Sequence, residues 1–206
     1  MLTSKVSKIM LLAIVGLASS FVDESKYSEN ADYNWVVENN SSISIAGSSN
    51  VNSFICEVKE YLHLDTLKSI SEEKIQRLLF KSSQLNLDVR KFDCHNKFIT
   101  QDFYKTMRVE DYPQLVIKFI AIEQFCGYVP HQNLKGWVDI QLASVTKRMQ
   151  LDLVMFRQGG AKYKLTGNKR MKFSDFKLTA PSKVAGLIKI NEEIDVEFEL
   201  FFKAVG

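Results

Sequence analysis

The stretch IDVEFELFF (residues 194–202) constrains the fold more than any other part of the chain. Ile194, Val196, Phe198, Leu200 and Phe202 fall on one side of an extended backbone, and Asp195, Glu197 and Glu199 on the other. A period of two with an apolar and a charged face marks a strand of an antiparallel sheet that is dry on one side and wet on the other. The pattern recurs along the chain. SISIAG (42–47) sets Ile43 and Ile45 on one face, and VNSFICEVKEYLHL (51–64) reads as one long strand with Phe54, Cys56 and Val58 together. In QLNLDVRKF (84–92), Leu85, Leu87 and Val89 oppose Asn86, Asp88 and Arg90. WVDIQLASVTKRMQLDLVMF (137–156) reads as two strands joined near residues 144–147, with Val138, Ile140 and Leu142, then Leu151, Leu153 and Met155, on the apolar faces. KLTGNKRMKFSDFKL (164–178) reads as interrupted at Gly167-Asn168. GSSN (47–50) reads as a turn, and RQGGAKY (157–163) as a hairpin loop in which Gly159-Gly160 supply positive φ.

Helical patterns are few. Phe103 and Met107, spaced i and i+4, put one apolar face on ITQDFYKTM (99–107). Pro113 ends that helix and pushes Tyr112 toward an extended conformation. A strand follows at once, with Leu115, Ile117, Phe119 and Ala121 pointing one way and Val116, Lys118, Ile120 and Ile122 the other. SEEKIQRLL (71–79) fits a helix as well as a strand. Many alternating strands in one domain of this length make a sandwich or a barrel. Several strands exceed the usual 5–6 residues, which favours a barrel, because closure leaves no exposed edge. The reading is an all-β domain with one or two short helices, an antiparallel barrel of about eight strands, which can enclose one small ligand.

The N-terminus, MLTSKVSKIMLLAIVGLASS, joins Lys5 and Lys8 to an apolar run from Ile9 to Ala18, with the small residues Ala18 and Ser20 placed for cleavage before Phe21. This is the layout of a secretory leader, too short to span a bilayer. The expected organisation is a leader over 1–20 and one barrel domain over 21–206, exported to a periplasmic or secreted location without stable membrane insertion. FVDESKYSEN (21–30), polar throughout, reads as frayed. The formal charge of +3 falls to +1 once Lys5 and Lys8 are lost, which leaves no footprint for nucleic acid. The densest basic run, Lys162, Lys164, Lys169, Arg170 and Lys172, reads as a solvated outer face. His63, His95 and His131 are dispersed and match no metal spacing, and no phosphate loop or nucleophile elbow is present, so neither a catalytic nor a metal site is assigned. The odd set Cys56, Cys94 and Cys126 gives Cys94–Cys126 as the disulfide candidate, since one lies just before the helix and the other ends the strand after it.

The order of these segments resembles the YceI-like family of small periplasmic, lipocalin-like barrels. The resemblance runs from YNWVVENNSSISIAGSSNVNSF (33–54) through LNLDVRKFDCHNKFITQDFYKTMRVEDYPQLVIKF (85–119) and WVDIQLASVTKRMQLDL (137–153) to SDFKLTAPSKVAGLIKINEEIDVEFELFF (174–202). Two departures stand out. The turn glycine is Ser144, and the Arg-Asp that precedes the central helix in relatives is replaced by Cys94-His95 and Asn96-Lys97. The resemblance implies a non-enzymatic binder of a polyisoprenoid or an isoprenoid quinone, held as carrier or store, with no other cofactor. Relatives often form homodimers, though no strand here declares itself a dimer edge. Fourteen phenylalanines suit an apolar interior. The residues expected to line it are Phe54, Leu87, Ile117, Phe119, Leu153, Met155, Phe173, Phe198 and Leu200. The alternative is a barrel filled by its own side chains that serves as a structural or protein-interaction module.

Overall fold

The computed structural model describes residues 30–61, 63, 65–127 and 129–205. The expected leader lies outside these residues, as does nearly all of the polar stretch after it. That stretch's last residue, Asn30, already pairs with Glu72. The strands are β1 (Asn30–Val37), β2 (Ser42–Ser48), β3 (Ser53–Val58), β4 (Thr66–Glu72), β5 (Arg77–Lys81), β6 (Gln84–Asp88), β7 (Gln114–Glu123), β8 (His131–Leu142), β9 (Val145–Gly159), β10 (Lys162–Lys172), β11 (Ser182–Lys183), β12 (Ile188–Lys189) and β13 (Glu193–Val205). One helix, α1 (Lys97–Thr106), precedes β7. The order β1-β4-β5-β7-β8-β9-β10-β13 closes when β13 returns to β1, giving an eight-stranded antiparallel barrel, as the alternation requires.

Two long strands each serve two partners. β13 pairs with β2 over Asp195 to Glu199 and with β1 over Phe202 to Val205. β7 pairs with β6 over Gln114 to Lys118 and with β5 over Ala121 to Glu123. A buried serine patches the ladder at each switch. Ser41 Oγ accepts the Phe201 N–H at 2.9 Å, and Ser83 Oγ accepts the Lys68 N–H at 2.7 Å, both serines being 1 % exposed. Without them these part-buried backbone donors would lose their protein acceptors. The barrel therefore has two tiers, one completed by β1, β4 and β5 and the other by β2, β3 and β6. The first tier is solid. Trp35 meets Tyr163 and Phe125 edge-on at 5.1 and 6.3 Å between ring centroids, and its indole N–H donates to Ser69 Oγ at 2.8 Å.

Several expectations from the sequence are corrected. Residues 71–79 are no helix: β4 and β5 form a hairpin around a single 3₁₀ turn, Glu73–Ile75, that ends on Gln76 at φ 52°. The strand expected over 51–64 stops at Val58. β10 runs unbroken through Gly167-Asn168. The alternation expected along β7 breaks at a bulge between Phe119 and Ala121, where the strand changes partner, so Ala121 and Ile122 are both buried. The disulfide is Cys56–Cys94, and Cys126 is a free thiol. Glu57 and Asp93 exchange backbone hydrogen bonds at 2.9 and 3.0 Å, which sets Cys56 opposite Cys94 in the next, non-hydrogen-bonded pair, the closer kind. With Cys94 bonded to Cys56, the expected Cys94–Cys126 bridge does not form.

The departures at Cys94–Lys97 acquire local roles. Asn96 caps α1, its side-chain oxygen accepting the N–H groups of Phe98 (2.9 Å) and Ile99 (3.3 Å). His95 Nε2 contacts Glu57 Oε1 at 2.7 Å. Partial burial pushes the Glu57 carboxyl up, but hydrogen bonds from Lys59 and His95 outweigh it and hold it below the usual carboxylate range. At the β8–β9 turn, Ala143 and Ser144 both adopt positive φ, 47° and 70°, without a glycine. Most of the basic run around β10 is a paired outer face, with Lys162–Glu38, Lys164–Glu199, Arg170–Asp195 and Lys172–Glu193 as ion pairs; Lys169 is the exception, on the inward side with Leu165 and Met171, its Nζ donating to the Gln150 carbonyl at 2.9 Å.

Candidate functional site

The second tier encloses an apolar cavity of about 80 Å³. Each wall strand contributes its inward alternate residues: Ile43 and Ile45 from β2, Leu85 from β6, Ile117 and Phe119 from β7, Val138 and Ile140 from β8, Leu151 and Leu153 from β9, and Phe198 and Leu200 from β13. Its far end meets the Trp35 plug. Its near end is floored by Met107, Phe173, Phe176 and Leu178, from the end of α1 and the 3₁₀ turn Phe173–Phe176. Among the described residues, the charged ones on the wall are Lys169 and Lys172, long side chains whose stems can cover apolar surface while the ammonium groups stay wet. The rest of the wall is hydrocarbon, which suits the cavity to holding an apolar chain.

Six of the nine expected residues, Ile117, Phe119, Leu153, Phe173, Phe198 and Leu200, meet at this cavity. Three do not. Met155 sits in the first tier against Trp35, Leu67 and Phe202, above the level at which β13 changes partner. Leu87 is buried beside Val58 and Tyr61, where the chain after β3 covers β6. Phe54 lies over Gly47 near the β2–β3 turn and faces α1. Period two assigns a face of a strand; it does not say how far along the strand the hollow extends.

Two glycines shape the wall: Gly136, which sequence reasoning passed over, and Gly167, which it read as a break in a strand. A Cβ on Gly136 would lie 2.4 Å from Leu153 Cδ1, and one on Gly167 would lie 2.5 Å from Phe198 Cζ and 2.9 Å from Leu153 Cδ2. Leu153 fills the room left by both, and the ring of Phe198 crosses Gly167. A lone glycine inside a strand pattern was the available signal.

A second apolar hollow of about 190 Å³ lies outside the barrel, between α1, β3 and the β11–β12 ribbon. Phe54, Ile99, Phe103, Ile188 and Ile190 line it, and Lys183 Nζ bonds Asp102 Oδ1 across it at 2.6 Å. Phe173 lines both hollows, so this one ring stands between the groove and the cavity.

No family model matches the chain, and no curated protein matches it in sequence. Solved structures do match. A polyisoprenoid-binding domain from Saccharophagus degradans, implicated in plant cell wall breakdown, superposes with a TM-score of 0.58 at 11 % identity, covering 83 % of this chain and 98 % of that one. BcnA of Burkholderia cenocepacia superposes with a TM-score of 0.53 at 16 % identity, over 78 % of this chain and 95 % of that one. A YceI protein of Campylobacter jejuni also matches, with a TM-score of 0.44 at 18 % identity, over 59 % of this chain and 71 % of that one. The first two carry the comparison, and what they share with this chain is the fold, an all-β, lipocalin-like barrel.

Proposed function

We propose that this protein is a non-enzymatic binding protein that holds the chain of an isoprenoid lipid or isoprenoid quinone in its barrel, as carrier or store, in a periplasmic or secreted location. The observation that carries this reading is the wall of the second tier, which among the described residues is hydrocarbon apart from Lys169 and Lys172. An apolar chain gains roughly 25 cal/mol for each Å² it removes from water there. The first structural neighbour, a polyisoprenoid-binding domain by name, supports the ligand class. Phe54, Leu87 and Met155 are left out of the proposed lining; Ile117, Phe119, Leu153, Phe173, Phe198 and Leu200 remain in it.

One observation favours the other reading, a filled barrel serving a protein partner. The cavity of about 80 Å³ is smaller than the ~300–1,000 Å³ of ordinary ligand pockets, so a long chain must push side chains aside. Organic extraction of the purified protein followed by mass spectrometry separates the two. A stoichiometric isoprenoid or quinone establishes the holder. An extract that stays empty after incubation with membrane lipids establishes the filled barrel.

A further inference from the structure

The rim of the outer groove exposes apolar side chains that nothing in the fold explains. Val184 and Leu187, in the turn of the β11–β12 ribbon, are 63 % and 72 % exposed, Phe98 at the start of α1 is 76 % exposed, and Val51 in the β2–β3 turn is 63 % exposed. They belong to one site. Asn50, next to Val51, donates to the Leu187 carbonyl at 2.9 Å and accepts the Lys189 N–H at 2.9 Å. Phe98 stands one helical turn before Asp102, the residue that bonds Lys183 on the ribbon. The ribbon turn is also strained. Val184 and Ala185 hold φ of 51° and 52°, and positive φ in a β-branched residue is a genuine outlier.

The charge around this rim is mostly positive, although Glu192, just beyond the groove's own segments, accepts the Ser174 N–H at 2.6 Å. The segments that form the groove and its rim (49–55, 96–106 and 173–190) contain five lysines, Lys97, Lys105, Lys177, Lys183 and Lys189, and two acids, Asp102 and Asp175. Both acids are neutralised, Asp102 by Lys183 and Asp175 by Lys147. Among the described residues, Lys97, Lys105, Lys177 and Lys189 pair with no carboxylate, whereas the lysines of β10 are paired or hydrogen-bonded.

We propose that this rim is a membrane-docking face: Val51, Phe98, Val184 and Leu187 enter the interface of an anionic bilayer while the four free lysines meet its head groups, and the groove leads an acyl or isoprenoid chain from the bilayer past Phe173 into the barrel. Apolar tips ringed by unpaired cations match a surface that is apolar below and anionic above. A protein partner would have to supply both an apolar socket and an acidic collar, but a bilayer supplies them together. The continuity of the groove with the cavity at Phe173 gives the contact a purpose. The proposal rests on the lipid-holding reading for that purpose, and not for the docking itself.

Sedimentation with vesicles tests it. The protein is expected to bind vesicles of phosphatidylglycerol and phosphatidylcholine, to bind pure phosphatidylcholine more weakly, and to release as salt rises. V184S/L187S and K97Q/K189Q are each expected to weaken binding about tenfold or more. Ile75→Ser removes an equally exposed residue, 61 %, at the opposite end of the barrel and is expected to leave binding unchanged. Absence of binding to the anionic vesicles overturns the proposal, as does an equal loss in I75S. A dimer in sedimentation velocity that V184S/L187S dissociates, with no vesicle binding, overturns it in favour of a second copy of the chain. Mass spectrometry of extracts from the same preparations keeps the two readings apart: cargo without vesicle binding sinks the docking face alone, and vesicle binding without cargo sinks the lipid-holding reading alone.

Discussion

The Cys56–Cys94 bridge ties β3 to the chain that enters α1, so it holds the helix that forms one side of the groove and caps the cavity. Its sequence separation is 38 residues. Closing a loop of that length lowers the entropy of the unfolded chain enough to stabilise the fold by about 4 kcal/mol in the chain-entropy account. For a domain of this size that corresponds to roughly 8–16 °C in Tm. Mutating the cysteines would confuse this effect with packing, because Cys56 is wholly buried and its truncation leaves a void. Reduction is the cleaner perturbation. Thermal and guanidinium unfolding would be followed with and without reductant in a Cys126→Ser background, which removes the free thiol. The oxidised protein should be more stable by several kcal/mol, and thiol titration of the unreduced, denatured wild type should find one thiol. A difference under about 1 kcal/mol would refute the entropic reasoning. Three titrated thiols would refute the pairing itself.

Four further outcomes are expected. Ser144→Gly should stabilise the protein by about 1 kcal/mol in chemical denaturation, because Ser144 now holds positive φ at a steric cost that glycine avoids; a loss of stability would contradict this. Ser41→Ala should cost about 1 kcal/mol by the same assay, since the part-buried Phe201 N–H loses its acceptor. Gly167→Ala should cost about 1–3 kcal/mol and lower the amount of extractable cargo, because the new methyl drives Phe198 and Leu153 into the hollow; unchanged cargo would remove Gly167 from the site. Finally, the side-chain hydrogen bond from Arg148 holds the Asp139 carboxyl below its usual range, and Lys147 together with the Lys172 N–H does the same for Asp175. A lowered folded-state pKa contributes stability that is fully present above the unfolded value, near 4, and fades as pH falls through the folded one. Denaturation midpoints should therefore hold steady down to about pH 5 and drop below about pH 4; a midpoint that rises on acidification would show that these pairs are unimportant.

The sequence by itself determined the sheet and its faces. Alternation in β13, β8 and β9 is a local property, because each side chain's direction follows from the one before it, and burial then forces the apolar side inward. The α1–Pro113–β7 junction was equally legible, since a proline's missing N–H and fixed φ act on its immediate neighbours. Tertiary structure alone decided what depends on residues far apart in sequence. Which cysteines bond was set by the Glu57–Asp93 register, which brings together segments nearly forty residues apart. The helical periodicity available to residues 71–79 lost to pairing with β1 and β7, because hydrogen bonds to strands on both sides outweigh a weak local propensity. The length of the hollow was likewise beyond the sequence. Met155 and Leu153 share a face of β9, yet one packs against the Trp35 plug and the other lines the cavity. What separates them is the height at which β7 and β13 exchange partners, and that height exists only once the barrel has closed.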